Sequence, residues 1–464
     1  GYAVLCAYPL RHVLQNQDKM KRLFIYIFAV LPFACYSQTV LTLDECIRLA
    51  KENNKRMEVS EQQLQASLFE KRSTKALFLP SLSLTGNALY STADGSYSSG
   101  MGQLPVLGAD GIPTGQSALF PGIDLAYDLG WIYSGGVKVE QPVYMGGKIR
   151  TSYRMAKIGD EIARQNKRLT ESEVVVETSR AYAGVVRAKE LVLVAESYNE
   201  LLTELMRTVE SARKHGMKSQ NDVLKVKVKL NESELDLRRA ENGHRLAMMN
   251  LCHYIGRPLT DKIETDSSLP ETNAGYMQDD GISNRPEYLM LEQQNELAKQ
   301  KIAVARSEHL PQVGLVGQYG YLNGIELNGR KLLDSWNFLV GVQVSIPIFD
   351  FGHRTNKIKS AKAQYTQVQA EREDTNERLT LEMTQSFNNL DEAFLEKRLA
   401  ESSVVSAEEN LRASRLQYEK GVETLSDYLE AQTLWQQAMQ TQVEARINCY
   451  LRWLEYQKAV GKIN

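Results

Sequence analysis

Two copies of one pattern, held in a fixed register, constrain this chain more than any other feature. Gln141-Pro142-Val143-Tyr144-Met145-Gly146-Gly147-Lys148 lines up with Ile346-Pro347-Ile348-Phe349-Asp350-Phe351-Gly352-His353 at an offset of 205 residues (347 − 142). The same offset carries Gly216 onto Gly421 and Asp222 onto Asp427. A spacing kept over so long an interval requires a rigid element that tolerates no insertion, and a duplicated unit sets the architecture before any local motif does.

The opening parts of the copies match at a second offset. Leu79-Pro80-Ser81-Leu82 pairs with Leu310-Pro311-Gln312-Val313, and Glu61-Gln62-Gln63 with Glu292-Gln293-Gln294, shifted by 231 (311 − 80). The difference of 26 residues (231 − 205) falls between Pro80 and Pro142. There Ser98 to Gly122 is rich in Gly, Ser and Pro and reads as a long irregular loop; the second copy has a short one, Asn323 to Ser335. The chain divides into upstream residues and an export segment (1–37), a first repeat (38–255), a linker (256–284) and a second repeat (285–464).

Each repeat has the same grammar: a helix, a strand opened by Pro80 or Pro311, a loop, a second strand, and a very long helix. Leu82, Leu84, Ala88 and Tyr90 alternate with Ser81, Ser83, Thr85 and Asn87. The same alternation recurs in Val137 and Val139, in Val313 to Tyr321 and in Phe338 to Ile346, which predicts four half-buried strands. Pro142 and Pro347 are expected to end the strand ladders, and Gly147 and Gly352 to let the backbone turn into the helix.

From Lys148 to Lys214, and from His353 to Lys420, there is no proline and no loop signal. At 1.5 Å per residue each rod would run roughly 100 Å. Ala181, Ala188, Ala195, Leu202 and Val209 recur every seventh residue, as do Ala393, Ala400 and Ala407, and Val404, Leu411 and Tyr418. A seven-residue period implies coiled-coil packing, and alanine seams allow close approach. Glycines 216 and 421 break the rods, and a shorter helix returns from each.

Met20-Lys21-Arg22 followed by apolar Leu23 to Phe33 has the form of a signal peptide, with small residues before Gln38. Leu31 to Cys35 loosely resembles a lipoprotein cleavage box. The remaining cysteines, Cys46, Cys252 and Cys449, form neither a disulfide framework nor a metal motif and read as small buried residues. Lys and Arg (55) nearly balance Asp and Glu (57), so there is no basic footprint for nucleic acid. The six histidines lack ligand spacing, and no nucleophile elbow or phosphate loop is present. Nothing calls for a catalytic group, a metal or a cofactor.

Four strands cannot close a membrane barrel alone, since single-chain barrels begin at about eight strands. An open sheet in lipid would leave unpaired edges. Either the sheet stays in water, as in a soluble periplasmic coiled-coil adaptor, or several chains share one barrel. Export, the alternating apolar strand faces and the Gly/Pro-rich loop at one end favour sharing.

The chain resembles the TolC family of outer-membrane ducts. The likeness rests on Leu41-Thr42-Leu43-Asp44-Glu45-Cys46-Ile47-Arg48-Leu49-Ala50, the two Leu-Pro strand openings, the two Pro-to-Gly exits and the two Gly-to-Asp segments. It implies an α+β membrane protein: a homotrimer with a shared transmembrane β-barrel, four strands per chain, continuous with a long α-helical coiled-coil barrel. It further implies contact with outer-membrane lipid, a periplasmic adaptor and an inner-membrane pump of a tripartite efflux or type I secretion system.

Within that resemblance the tip Tyr418 to Ala431 is the candidate gate. Asp427 and Glu430, three residues apart, share a helix face and would form carboxylate rings under threefold symmetry. Tyr418 matches a gate-bridging tyrosine, and Glu423 stands where well-known members carry an arginine latch. Without the resemblance, the two acids read as a solvated first helical turn favoured by the helix dipole. Gly216, Asp222 and Gly421 mark the reversals where an adaptor would dock. Tyr90, Trp131, Tyr133, Tyr144, Tyr319, Tyr321 and Trp336 are candidates for an interfacial belt.

Overall fold

The computed structural model of the chain describes residues 40–266, 268–272 and 281–463. The expected export segment, Cys35 and part of the linker lie outside them. Strand β1 (Val40–Leu41) pairs in parallel with β8 (Glu264–Thr265), tying the start of the first repeat to the linker. Helices α1 (Leu43–Asn53) and α2 (Lys55–Ala76) follow; Thr42 and Glu45 form a capping box at the start of α1.

The rods are α3 (Lys148–Lys214) and α6 (His353–Glu419), each of 67 residues. The returning helices α4 (Gln220–Tyr254) and α7 (Leu425–Ala459) each have 35. Gly147 and Gly352 precede the rods with φ of +82° and +87°, a left-handed conformation that glycine adopts without steric cost. The heptad rows lie on packed faces: Ala181, Ala195, Leu202 and Val209 are buried in α3, and Ala393, Ala400, Val404 and Tyr418 in α6.

The duplication holds at residue level. Lys167 pairs with Glu61 at 2.7 Å, and Arg372 with Glu292 at 2.5 Å. These are one ion pair written twice at the two offsets. The environments nevertheless differ. Rod α3 packs against α1, α2, α4, α7 and α5 (Pro286–Ser307), whereas α6 packs chiefly against α5 and α7. Consequently α6 leaves Leu381, Leu395, Leu399 and Val405 exposed, and α4 leaves Leu235 and Leu246 exposed.

Arg285, only 2% exposed, caps α5 and joins three elements. Its guanidinium meets Glu287 and Glu382 at 3.0 Å each and donates to the Ala459 carbonyl at 3.4 Å. Cys46, Cys252 and Cys449 are buried and free, as expected for small core residues.

Four long strands, β2 (Ser81–Tyr90), β7 (Trp131–Met145), β9 (Gln312–Leu327) and β10 (Arg330–Ser345), run antiparallel in the order β2-β7-β9-β10 and make up most of a six-stranded sheet. Among the described residues the outer edges of β2 and β10 have no partner. The strands expected to be half-buried instead expose their apolar residues: Leu82, Leu84, Phe338, Val340, Val342, Val344 and Ile346 all face open space. Among the described residues no helical layer covers the sheet.

Three segments differ from what their sequence predicts. The stretch Ser98 to Gly122 is not irregular: β3 (Asp94–Ser98) pairs with β6 (Asp124–Asp128), and β4 (Gly102–Leu107) with β5 (Pro113–Phe120), so the β2–β7 hairpin continues as a ribbon. Gly and Pro there mark kinks between ribbon segments. The short loop from Asn323 to Ser335 is also mostly strand, turning only at Asn328-Gly329, where φ is +49° and +71°. That dipeptide is the favoured signal for a two-residue hairpin. Finally, Pro142 does not end its ladder. It sits at a bulge in β7, paired with Gly314, and the strand continues to Met145. Its missing N–H costs nothing on the β2 side, because β2 begins only at Ser81, opposite Glu140.

Candidate gate and docking surface at the helix reversals

Each rod ends in the same chemistry. Gly216 and Gly421 both have φ +73°, and Met217 N–H donates to the Ala212 carbonyl (2.9 Å) as Val422 N–H does to that of Gln417 (3.0 Å). This is the Schellman arrangement that satisfies the last carbonyls of a helix. A capping box then starts each returning helix. Asp222 N–H donates to Ser219 Oγ at 3.2 Å, and Ser219 Oγ to Asp222 Oδ2 at 2.8 Å. Asp427 N–H donates to Thr424 Oγ1 at 3.3 Å, and Thr424 Oγ1 to Asp427 Oδ2 at 2.7 Å. The Gly-to-Asp spacing is therefore a helix stop followed by a helix start. The hydrogen bonds from Ser219, first its hydroxyl and then its backbone N–H, hold the Asp222 carboxyl below its ordinary range.

The two reversals meet in one apolar cluster. Leu202, Leu205, Val209, Val223 and Val226 of the first hairpin pack with Tyr418, Leu425, Tyr428 and Leu429 of the second. Tyr418 stacks on Tyr428, with ring centroids 5.2 Å apart and planes 16° from parallel. Lys218 Nζ lies 4.4 Å from the Tyr418 ring centre, within cation–π range. Burial, followed by the charge of Asp222, pushes the Tyr418 hydroxyl above its ordinary value, so it stays neutral through the physiological range. Lys225 donates to Ser426 Oγ at 3.1 Å, and Arg415 reaches Glu204 at 3.4 Å, adding two further ties between the hairpins.

Tyr418, Glu423, Asp427 and Glu430 thus share one end of the molecule with Gly216, Asp222 and Gly421. Pro80, Pro142, Gly147, Pro311, Pro347 and Gly352 gather at the far end of the rods, about 100 Å away by helical rise. Glu423 sits in the turn with one carboxylate oxygen shielded and unpartnered. Glu430 lines a groove of about 590 Å³ between α4 and α7, with Leu224, Lys225, Val228, Lys229 and Leu429. A second groove, of about 500 Å³, runs between the hairpins past Glu204, Glu408, Arg412 and Arg415. Lys218 and Lys225 lie in the Met217–Val226 segment and Tyr428 in the Tyr418–Ala431 tip expected from sequence, without being singled out there, and Arg415 lies outside both. One signal was available: Lys218 falls on Glu423 at the 205 offset, opposite charges at equivalent turns.

A sequence profile of the family described as outer membrane efflux protein matches residues 46–257 and 279–462. The chain belongs to that family. Outer membrane protein TolC of Vibrio cholerae is 21% identical over 376 residues, covering 76% of this chain and 85% of that protein. Proteases secretion protein PrtF of Dickeya chrysanthemi is 22% identical over 312 residues, covering 65% and 67%. The outer membrane channel CmeC of Campylobacter jejuni superposes with a TM-score of 0.72 at 18% identity, covering 90% of this chain and 85% of CmeC. VceC of Vibrio cholerae gives 0.72 at 17%, covering 90% and 96%. This outer membrane efflux protein therefore works in the outer membrane as an export channel and shares the fold of solved outer-membrane channels.

Proposed function

We propose that three copies of this efflux protein close one barrel, each contributing β2, β7, β9 and β10, and that their helices continue it as a coiled-coil tunnel through the periplasm. Substrate would pass passively, without catalysis, from an inner-membrane pump and a periplasmic adaptor to the exterior. The observation that carries this reading is the run of four long strands within the six-stranded sheet, with apolar residues exposed and, among the described residues, the outer edges of β2 and β10 without a partner. Such edges are not tolerated in hydrocarbon, and four strands fall short of the roughly eight that a closed barrel needs. A soluble adaptor would have no use for an uncovered apolar sheet.

At the other end, Asp427 and Glu430 would form the carboxylate constriction and Tyr418 a bridging contact, with Glu423 in place of a latching arginine. The groove floored by Leu224, Val228 and Leu429 and rimmed by Lys225, Lys229 and Glu430 is the proposed adaptor dock. Detergent extraction, sizing and planar-bilayer conductance of the mature chain test the reading. A trimer with discrete conductance supports it, and a water-soluble monomer without conductance refutes it.

A further inference from the structure

Both rods begin with charge of one sign. The first twelve residues of α3, 148–159, hold Lys148, Arg150, Arg154 and Lys157 and no acid. The first eighteen of α6, 353–370, hold Arg354, Lys357, Lys359 and Lys362 and again no acid. Three positions coincide at the 205 offset: Lys148 with His353, Arg154 with Lys359, and Lys157 with Lys362. Helix chemistry does not favour this, because a helix start is the positive end of the macrodipole and is stabilised by acids. Asp44 in α1, Glu58 in α2, Asp222 in α4, Glu287 in α5 and Asp427 in α7 follow that rule, and neither rod does. Ion pairing does not account for the charge either. Arg354 and Lys357 meet Asp350 and Glu308. Arg150, Arg154, Lys359 and Lys362 are exposed, and none is in an ion pair among the described residues.

What adjoins these cations is apolar. Tyr144 near the end of β7 is 47% exposed, and between β10 and α6 Ile348, Phe349 and Phe351 are 94%, 73% and 92% exposed. Thirteen residues (144 − 131) separate Tyr144 from Trp131 at the other end of β7. For a strand tilted by about 40° that is about 30–35 Å of height, close to the thickness of bilayer hydrocarbon. An apolar rim followed at once by cations is the order of groups across a membrane boundary. Lys and Arg lay their stems on apolar surface there and carry the charge out to the headgroups. The loop end of the sheet has the opposite sign: residues 91–130 hold Asp94, Asp110, Asp124 and Asp128 and no Lys or Arg.

We infer that the cations at the two rod starts form a collar that binds the headgroup phosphates of anionic phospholipids in the periplasmic leaflet of the outer membrane. This rests on the shared-barrel reading above, in which each coincident position recurs six times around the junction (three copies, two repeats). The headgroup layer is about 5–8 Å deep, the rise of the first turn or so of each rod. Lys148 and Arg150 stand within it, and Arg154, Lys157, Lys359 and Lys362 stand just beyond and reach back along their stems. Anionic headgroups attract such basic clusters, and the attraction is screened by salt. The acidic loop end repels the same chemistry, so the charge of the chain distinguishes the two faces of the membrane.

The test uses the full-length protein in neutral detergent, with phosphatidylglycerol or phosphatidylcholine added and bound lipid counted by native mass spectrometry. Wild type should bind phosphatidylglycerol at least several-fold more tightly than phosphatidylcholine. Combining Arg154→Gln, Lys157→Gln, Lys359→Gln and Lys362→Gln should weaken phosphatidylglycerol binding roughly five-fold or more and leave phosphatidylcholine binding unchanged. Lys397→Gln with Arg398→Gln, about 50 Å farther along α6, should bind as wild type. Sizing and single-channel conductance are read on the same samples. A quadruple variant that stays a conducting trimer and keeps its phosphatidylglycerol affinity overturns the collar and leaves the shared barrel standing. A shift in its conductance with lipid affinity intact does the same, placing the cations in the lumen. A soluble monomer that binds neither lipid refutes both readings. Should the quadruple variant fail to assemble, wild type itself decides. Its preference for phosphatidylglycerol should fade between about 0.05 and 0.5 M salt, and a preference unmoved by salt overturns the collar.

Discussion

Lys218 Nζ sits 4.4 Å from the centre of the Tyr418 ring, so the turn of one hairpin is clasped to the rod of the other. A cation–π contact of this exposure contributes about 0.5–1 kcal/mol. In the gate reading, Lys218→Ala should raise the open probability of single channels about two- to five-fold. Tyr418→Phe should leave it unchanged, because the ring rather than the hydroxyl carries the contact. Tyr418→Ala also loses the stack on Tyr428, worth a further ~1 kcal/mol, and should open the channel more. Wild-type gating in both Lys218→Ala and Tyr418→Ala would remove the clasp from the mechanism.

Asp427 and Glu430 can be told apart, since only Asp427 belongs to a capping box. Asp427→Ala should cost ~1 kcal/mol of stability through loss of the cap, and Glu430→Ala close to nothing. In the gate reading both lower cation selectivity, measured as a shift in reversal potential under a salt gradient. An unshifted reversal potential in the double variant would leave Asp427 with its cap alone.

Asp160 supplies an acid-sensitive tie between α2 and α3. Its side chain is 6% exposed, accepts from Lys71 at 2.7 Å and lies 3.5 Å from Arg164. Burial alone would raise its carboxyl, but Lys71 and Arg164 outweigh burial and hold it below the ordinary value of 3.8. A depressed carboxyl adds stability that is complete above the unfolded value and fades as pH falls below it. Asp160→Asn should therefore lose ~2 kcal/mol near neutrality. Thermal melts should show the gap to wild type closing below pH 3.8; a gap independent of pH would contradict the ion pairing.

Phe351 carries φ +52° and is 92% exposed, where its counterpart in the first repeat is Gly146 at φ +61°. A bulky residue in the left-handed region is strained by about 1–2 kcal/mol. Phe351→Gly is expected to leave the melting temperature of the detergent-solubilised protein unchanged or higher, against the usual penalty for removing a large apolar side chain. A clear drop would mean that the ring is packed in the assembled protein.

What could be read before folding, and what could not, follows from the range of each interaction. Gly216 with Asp222, and Gly421 with Asp427, were legible because a helix stop and a helix start are each written within a few residues. The turn at Asn328-Gly329 is equally local, but Asn323-Gly324 beside it carries the same turn signal and blurs where the strands end. The ribbon of β3 to β6 escaped because its strands are short and broken by Gly and Pro, so alternation never accumulates. Lys218 against Tyr418 could not be read from either segment alone, since 200 residues (418 − 218) separate them and only the packing of two hairpins brings them together.

The paired lengths of α3 and α6, and of α4 and α7, make the two repeats rulers calibrated against each other. One residue added to α3 alone would displace its reversal by about 1.5 Å and turn it by about 100°, pulling Lys218 off Tyr418 and Lys225 off Ser426. Drift in rod length is therefore held in check by the opposite copy. A longer or shorter version of this protein is reached only by writing the same change twice, in whole turns of the coiled coil.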